Sequence, residues 1–109
     1  MRKTSEESLL LYLKENYYPD LEYNTDGEVL IEVKCRNKHY PTIMIERKTY
    51  DSLIEEARGR NLIPLYINST PEGIYVWDLF SVDVDFLPEN VKYDKEVGYL
   101  DTEDAEVLF

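Results

Sequence analysis

Leu9, Leu10, Leu13 and Tyr17 recur at spacings that place them on one face of a helix. Thr4-Ser-Glu-Glu7 just before them has the form of a capping box, with Thr4 closing the first turn and Glu7 reaching back to its amide. Pro19 ends the helix, because the residue before a proline avoids helical angles. Leu21–Asn24 then reads as a short strand, turned back through Thr25-Asp26-Gly27. Glu28–Arg36 alternates, with Val29, Ile31, Val33 and Cys35 on one side and Glu28, Leu30, Glu32 and Lys34 on the other. That is the pattern of a strand with one buried face, and it places Cys35 in the core as an inert residue.

Asn37–Pro41 reads as a loop, and Thr42–Lys48 as another alternating strand, with Ile43 and Ile45 opposed to Met44, Glu46 and Lys48. Thr49–Arg58 predicts a helix with Leu53, Ile54 and Ala57 inward and Gly59 as its terminator. Leu62–Asn68 and Gly73–Leu79 are two further strands joined by the turn-rich Ser69–Gly73. After Phe80 the rhythm weakens: Val82–Phe86 is a candidate strand and Thr102–Leu108 a candidate short helix capped by Thr102. The order αβββαββ predicts a single small α/β domain whose mixed central sheet is flanked by helices. Residues 1–80 form the expected core, and 81–109 an acidic extension packed on it or wrapped around it.

Composition narrows the classes. At 109 residues, with 43% hydrophobic and 32% charged positions, the chain is the size of one globular domain. Its longest apolar run, Leu9–Leu13, is far short of a membrane span, which takes ~20 residues. One cysteine and one histidine exclude an internal disulfide and an unassisted zinc site, and predict a reducing, cytoplasmic setting. The net charge of −11 is a solubilising surplus and opposes non-specific attraction to nucleic acid. It is unevenly spread, however. Residues 34–60 carry seven bases against four acids, whereas 72–109 carry two bases against eleven acids. The basic stretch is the candidate phosphate-contacting surface, through Arg36, Lys38, Arg47, Arg58 and Arg60.

Two acid-x-lysine triplets, Glu32-Val-Lys34 and Glu46-Arg-Lys48, stand out chemically. With 23 acids and seven lysines in the chain, one or two such triplets arise by chance, so the count alone decides nothing. Setting raises the first. Residues two apart on a strand lie ~6.6 Å from each other on one side. Glu32 and Lys34 are therefore neighbours opposite the Val29/Ile31/Val33 stripe, on a strand where an unpartnered charge is costly. If the turn at 25–27 folds Leu21–Asn24 beside this strand, Asp20 approaches Glu32. Two carboxylates brought together repel unless a divalent cation lies between them, and oxygen ligands suit Mg²⁺ or Mn²⁺.

Tyr18-Pro19-Asp20, eleven residues, then Glu32-Val33-Lys34 on an apolar strand resembles the signature of the PD-(D/E)XK nuclease superfamily. The amphipathic helix that follows, and then Ile63-Pro-Leu-Tyr-Ile67, is similar to the layout of its Holliday-junction-resolvase and small phage-type members. The resemblance implies a restriction-endonuclease-like fold and a Mg²⁺- or Mn²⁺-dependent endonuclease acting on DNA. It implies metal ligands at Asp20 and Glu32, Glu7 as a further helix-borne ligand, and Lys34 as the catalytic lysine. A second register stays open, in which Glu32 takes the aspartate's place and Glu46-Arg47-Lys48 becomes the catalytic triplet, with thirteen residues between Glu32 and Glu46.

A chain this short has little surface for reading base sequence, so structure-selective cutting of duplex or branched DNA, or action as a homodimer, is expected. Two other readings compete: a catalytically inactive domain on the same scaffold that binds a protein through its acidic C-terminal segment, and an acidic DNA mimic. Neither needs a cation at Asp20 and Glu32. His39 is expected at the surface, and Tyr75 and Trp77 as packing residues rather than base-stacking groups.

Overall fold

The computed structural model describes residues 4–87 and 95–108. The first helix, α1 (Ser5–Asn16), begins as its capping box requires: the Thr4 hydroxyl accepts a hydrogen bond from the Glu7 amide at 3.1 Å. Leu9 and Leu13 are its buried residues, and no helix among the described residues is long and apolar enough to cross a membrane. The next element, β1 (Val29–Cys35), lies at one edge of a four-stranded sheet. The chain then forms β2 (Thr42–Glu46), α2 (Arg47–Arg60), β3 (Ile63–Thr70) and β4 (Gly73–Asp78). β3 pairs parallel to β1, with α2 in the crossover, and β4 pairs antiparallel to β3. The C-terminal segment supplies β5 (Phe86–Leu87), β6 (Val97–Asp101) and β7 (Glu106–Val107).

The four-stranded sheet β1-β3-β4-β7 divides the core in two. Val29, Ile31 and Val33 pack with Leu9 and Leu13 of α1, while Leu30 joins Leu53 and Ala57 of α2 and Ile43 and Ile45 of β2 on the other face. Strand alternation thus sends Glu32 and Lys34 toward the α2 side. Both are half-buried and, in register on β3, stand next to Tyr66 and Asn68.

Four expectations are corrected. Leu21–Asn24 is not a strand: Leu21 is buried, and Glu22 and Thr25 bond to each other across a tight turn in which Tyr23 takes φ 59°. The Asp26 carboxylate then accepts from the Glu28 and Val29 amides, which launches β1. Asp20 is consequently left in the turn after α1, not on a strand beside Glu32. Second, β2 is not in the central sheet. It forms a separate three-stranded sheet, β2-β6-β5, because the edge of β1 is already met by the turn, with the Ile31 amide bonded to Asn24 O and Thr25 bridging Leu30.

Third, the strand at 42–46 stops two residues early. The Glu46 backbone is extended and becomes the N-cap of α2, so Arg47 and Lys48 are helical. Fourth, Cys35 is exposed at the end of β1, facing an open cleft that it lines with Ser5, Ser8, Leu9 and Tyr12 of α1, rather than in the core. Toward the C-terminus, Thr102 is the first residue of a single 3₁₀ turn (Thr102–Asp104) capped by the Asp101 carboxylate, and only Phe86 of the candidate strand 82–86 is in a ladder.

Residues after 80 are woven into this architecture. Val97 and Leu100 are buried, and the Trp77 indole N–H, fully enclosed, donates to Asp101 O at 2.9 Å. Trp77→Phe leaves that carbonyl without its donor and a cavity where the second indole ring lay, at an expected cost of about 2–4 kcal/mol. Hydrogen exchange should show the loss concentrated in β6 amides; uniform loss over β1 and β3 would assign the indole a purely packing role.

Candidate active site

Glu32 stands between two clefts. One, of about 410 Å³, lies against α1 and is lined by Glu6, Glu7 and Asn24 together with Glu32. The other, of about 260 Å³, lies against α2 and is lined by Glu32, Asn24, Lys48, Thr49, Ser52 and Glu56. Glu32 therefore borders open space on both sides of β1. Burial pushes its pKa above the ordinary value, and Glu6 adds to the rise, while the Lys34 ammonium pulls the other way. A half-buried carboxyl balanced in this manner is the kind of group that functional sites collect.

Of the expected catalytic set, the structure brings Lys34 and Lys48 close to Glu32, links Glu46 to it only through Lys34, and leaves Asp20 aside. Lys34 influences both Glu32 and Glu46, and Lys48, from the first turn of α2, enters the cleft that Glu32 lines. The two triplets are thus parts of one neighbourhood. They are not equivalent: Glu32 and Lys34 share a strand face, whereas Glu46 ends a strand and Lys48 lies on a helix. Glu7 is in the α1-side cleft as the resemblance implied, but exposed Asp20 lines neither cleft. Asn24, from the turn, lines both. Nothing in the sequence singled out Asn24 or Glu6, because their approach to Glu32 depends on a turn and a helix register that have no local signature.

Glu46 has a partner of its own. Lys95 binds its carboxylate at 2.7 Å, and beside it Arg47 binds Glu96 at 3.1 Å, a crossed pair that ties the start of α2 to the start of β6. The Arg47 guanidinium also faces Asp51 and sits 5.4 Å above the Phe86 ring. The Lys95 hydrogen bond holds the Glu46 carboxyl below its usual pKa. An acid with a depressed folded-state pKa contributes stability above its unfolded value, near ~4.3, and loses it as pH falls through the folded one. Lys95→Met should therefore lower the melting temperature slightly at pH 7, by no more than ~1 kcal/mol equivalent for a solvent-exposed pair, and by less at pH 3. An equal loss at both pH values would show the effect to be aliphatic packing.

The expected phosphate contacts divide. Arg36 is a structural staple, not a free cation: its guanidinium donates to Asn68 Oδ1 at 2.8 Å, Met44 O at 3.0 Å and the Tyr66 hydroxyl at 3.0 Å. Arg60 is paired with Glu56, and Arg47 as above. Lys38 and Arg58 are exposed and in no ion pair among the described residues. His39 is half-buried, its Nδ1 3.0 Å from Thr70 Oγ1 and its ring against Tyr75, which itself stacks on Trp77.

The polar side chains that line the α1-side cleft, Thr4, Glu6, Glu7, Asn24 and Glu32, all offer oxygen donors, the chemistry that hard divalent cations prefer. Glu32, Glu6 or Glu7, and the Asn24 amide oxygen fit such an ion by donor type. Among the described residues, no set of three or more His, Cys, Asp or Glu side chains is already gathered for one.

No family model matches the chain, and no curated protein matches it in sequence. In three dimensions it is similar to the Holliday junction resolvase Hjc of the archaeal hyperthermophile Archaeoglobus fulgidus, a member of the PD-(D/E)XK nuclease superfamily. The TM-score is 0.63 over 94% of this chain and 88% of the resolvase, at 14% sequence identity. The fold is the restriction-endonuclease-like α/β fold that the triplet and its surroundings implied.

Proposed function

We propose that this protein is a divalent-metal-dependent nuclease that hydrolyses phosphodiester bonds in DNA, with branched DNA as its preferred substrate. One observation carries the reading: in a resolvase-like fold, half-buried Glu32 opens to clefts on both sides of its strand, with Lys34 on the same strand face. Glu32, Glu7 and Asn24 would hold the cation. Bound there, it would neutralise charge on the phosphodiester and lower the pKa of a water molecule.

The chain's own groups do the rest. Lys34 keeps the Glu32 carboxylate ionised against the burial that would protonate it, and its ammonium donates to an oxygen of the phosphate as negative charge accumulates there. Lys38 and Arg58, which no described acid neutralises, attract the backbone, while the crossed Lys95–Glu46 and Arg47–Glu96 pairs hold α2 against the sheet. A domain of this size presents few groups to base edges, so shape, rather than sequence, selects the substrate. Two protomers acting together would suit a junction.

The test is cleavage of single-stranded, duplex and four-way-junction DNA of matched sequence, with Mg²⁺ or Mn²⁺ and with chelator. The expected result is metal-dependent nicking, strongest on the junction. Absence of cleavage with either ion, together with no heat of Mn²⁺ binding, would remove the nuclease reading and favour a non-catalytic domain on this scaffold.

A further inference from the structure

We propose that the cleft between the 37–41 loop and β2 holds an unpaired nucleotide of a DNA strand, its base against the rings of Tyr40 and Tyr99 and its phosphate at the Lys38 ammonium. This rests on DNA being the substrate and names the feature of it that the chain grips. The cleft, of about 580 Å³, is lined by Arg36, Lys38, Tyr40, Met44 and Tyr99 among its walls. Tyr99 stands directly across from Met44 in the β2–β6 ladder, and Tyr40 leads into β2 through Pro41. Both tyrosines are exposed.

The lining fixes the class of ligand. No acid among the described residues borders this cleft, although the chain carries a net charge of −11 and both clefts beside Glu32 contain further glutamates. Arg36 is committed to Asn68, Tyr66 and Met44, so its guanidinium is a fixed wall. Lys38 is exposed, in no ion pair among the described residues, and is the cation left to meet a phosphate. An apolar peptide would leave that ammonium unused, and a duplex backbone would leave the rings unused. An unpaired nucleotide uses both, a flat base on the aromatic faces and an anion on the lysine.

Position ties the cleft to the reacting centre. Glu32, Lys34 and Arg36 follow one another at period two along one face, and the Arg36 amide continues the pairing with β3 at Ser69 O. Two such steps put the near wall of the cleft about 13 Å from Glu32, a span that a single strand crosses in a few nucleotides. A base inside a duplex is stacked and paired and reaches the rings only by leaving its helix, whereas a base at a branch point or in a single-stranded flank is already available. A nucleotide anchored there sets the register of its strand over Glu32.

Binding is measured by fluorescence anisotropy in Ca²⁺ across a NaCl series, apart from cleavage of the four-way junction in Mg²⁺. The probes are labelled oligo-dT, an abasic strand of equal length, oligo-U and a duplex. Tyr40→Ala and Tyr99→Ala should each weaken oligo-dT binding about tenfold and leave the abasic strand and the duplex unchanged. Tyr40→Phe, Tyr99→Phe and Phe80→Ala, the last an exposed aromatic outside the cleft, should bind as wild type. Lys38→Gln should flatten the slope of log affinity for oligo-dT against log salt by about 0.7.

Unchanged oligo-dT affinity in Tyr40→Ala overturns the proposal, and does so while the nuclease reading stands if wild type cuts the junction. An equal loss on the abasic strand overturns it as well, since it makes the tyrosines structural. Tighter binding of oligo-U than of oligo-dT overturns DNA as the occupant. Ring-dependent binding by a wild type that cuts nothing upholds the nucleotide cleft and removes the nuclease reading.

Discussion

Glu32→Gln is expected to abolish DNA cleavage and leave the fold intact, with a melting temperature at pH 7 at or above that of wild type. The two halves of this result have one cause. The carboxylate is half-buried, and burial raises its pKa over the pull of Lys34. An acid whose folded-state pKa is raised destabilises the fold once it is ionised, so the cost is absent below the unfolded pKa, near ~4.3, and complete above the folded one. Glutamine keeps the shape and removes the charge, so the variant gains its advantage as pH rises through that window and shows none at pH 3. Activity moves the other way. A divalent ion contributes several kcal/mol of transition-state stabilisation, and at 1.36 kcal/mol per factor of ten its loss is worth about three orders of magnitude. Thermal melts at pH 3 and 7 beside a junction-cleavage assay make the check. A fully active variant would move the centre away from Glu32, and a strongly destabilised one would make Glu32 structural.

The elements that sequence periodicity revealed are those whose burial is decided by one neighbour. α1 shows a capping box and a leucine stripe, β1 alternates against α1, and β3 and β4 are short apolar runs bounded by turn residues. Where an element's partner comes from far along the chain, the rhythm misleads. Glu46-Arg-Lys48 extends the alternation of β2, yet the ladder with β6 ends at Glu46, opposite Val97, and the chain turns into a helix. β6 itself carries Gly98 at its centre. A Cβ there would come within 2.5 Å of Val84 Cγ1, so the glycine exists to let the 84–86 segment approach, and it hides the strand from any hydrophobic pattern.

The candidate site was legible to the same degree. Glu32 and Lys34 on one strand face follow from period-two geometry and nothing else. The arrival of Lys48 opposite Glu32 needs the α2 crossover, which joins two sheets that the sequence order presented as one. Asp20 was placed near Glu32 by treating Leu21–Asn24 as a strand. Tyr23 at positive φ and the reciprocal Glu22–Thr25 bonds make it a tight turn, which brings Asn24 to the clefts in its stead.

Arg36→Ala should be the most damaging of the basic-residue substitutions to stability, and it should do little to the electrostatics of DNA binding. Its guanidinium bridges three strands, reaching Asn68 on β3, the Tyr66 hydroxyl on β3 and the Met44 carbonyl on β2 from its own position just beyond β1. Asn68 is completely buried, its Nδ2 has no hydrogen-bond partner among the described residues, and Arg36 donates to its Oδ1. Alanine removes the Arg36 bond to Asn68 Oδ1 and one of the two side-chain bonds to Met44 O, leaving the 3.3 Å bond from Tyr66. Each buried polar group so orphaned costs about 1–3 kcal/mol, and about 3 kcal/mol in total lowers the melting temperature of a domain this size by roughly 10–15 °C. Arg36→Lys should recover little, because an ammonium cannot reproduce a planar fork directed at three acceptors. Asn68→Leu tests the cause: it removes the orphan, and in that background Arg36→Ala should cost less than it does alone. The slope of DNA affinity against salt should stay at its wild-type value in Arg36→Ala. A flattened slope with an unchanged melting temperature would return Arg36 to the phosphate-binding surface and leave β2 without its tether to β1 and β3, the link on which the placement of Lys48 beside Glu32 depends.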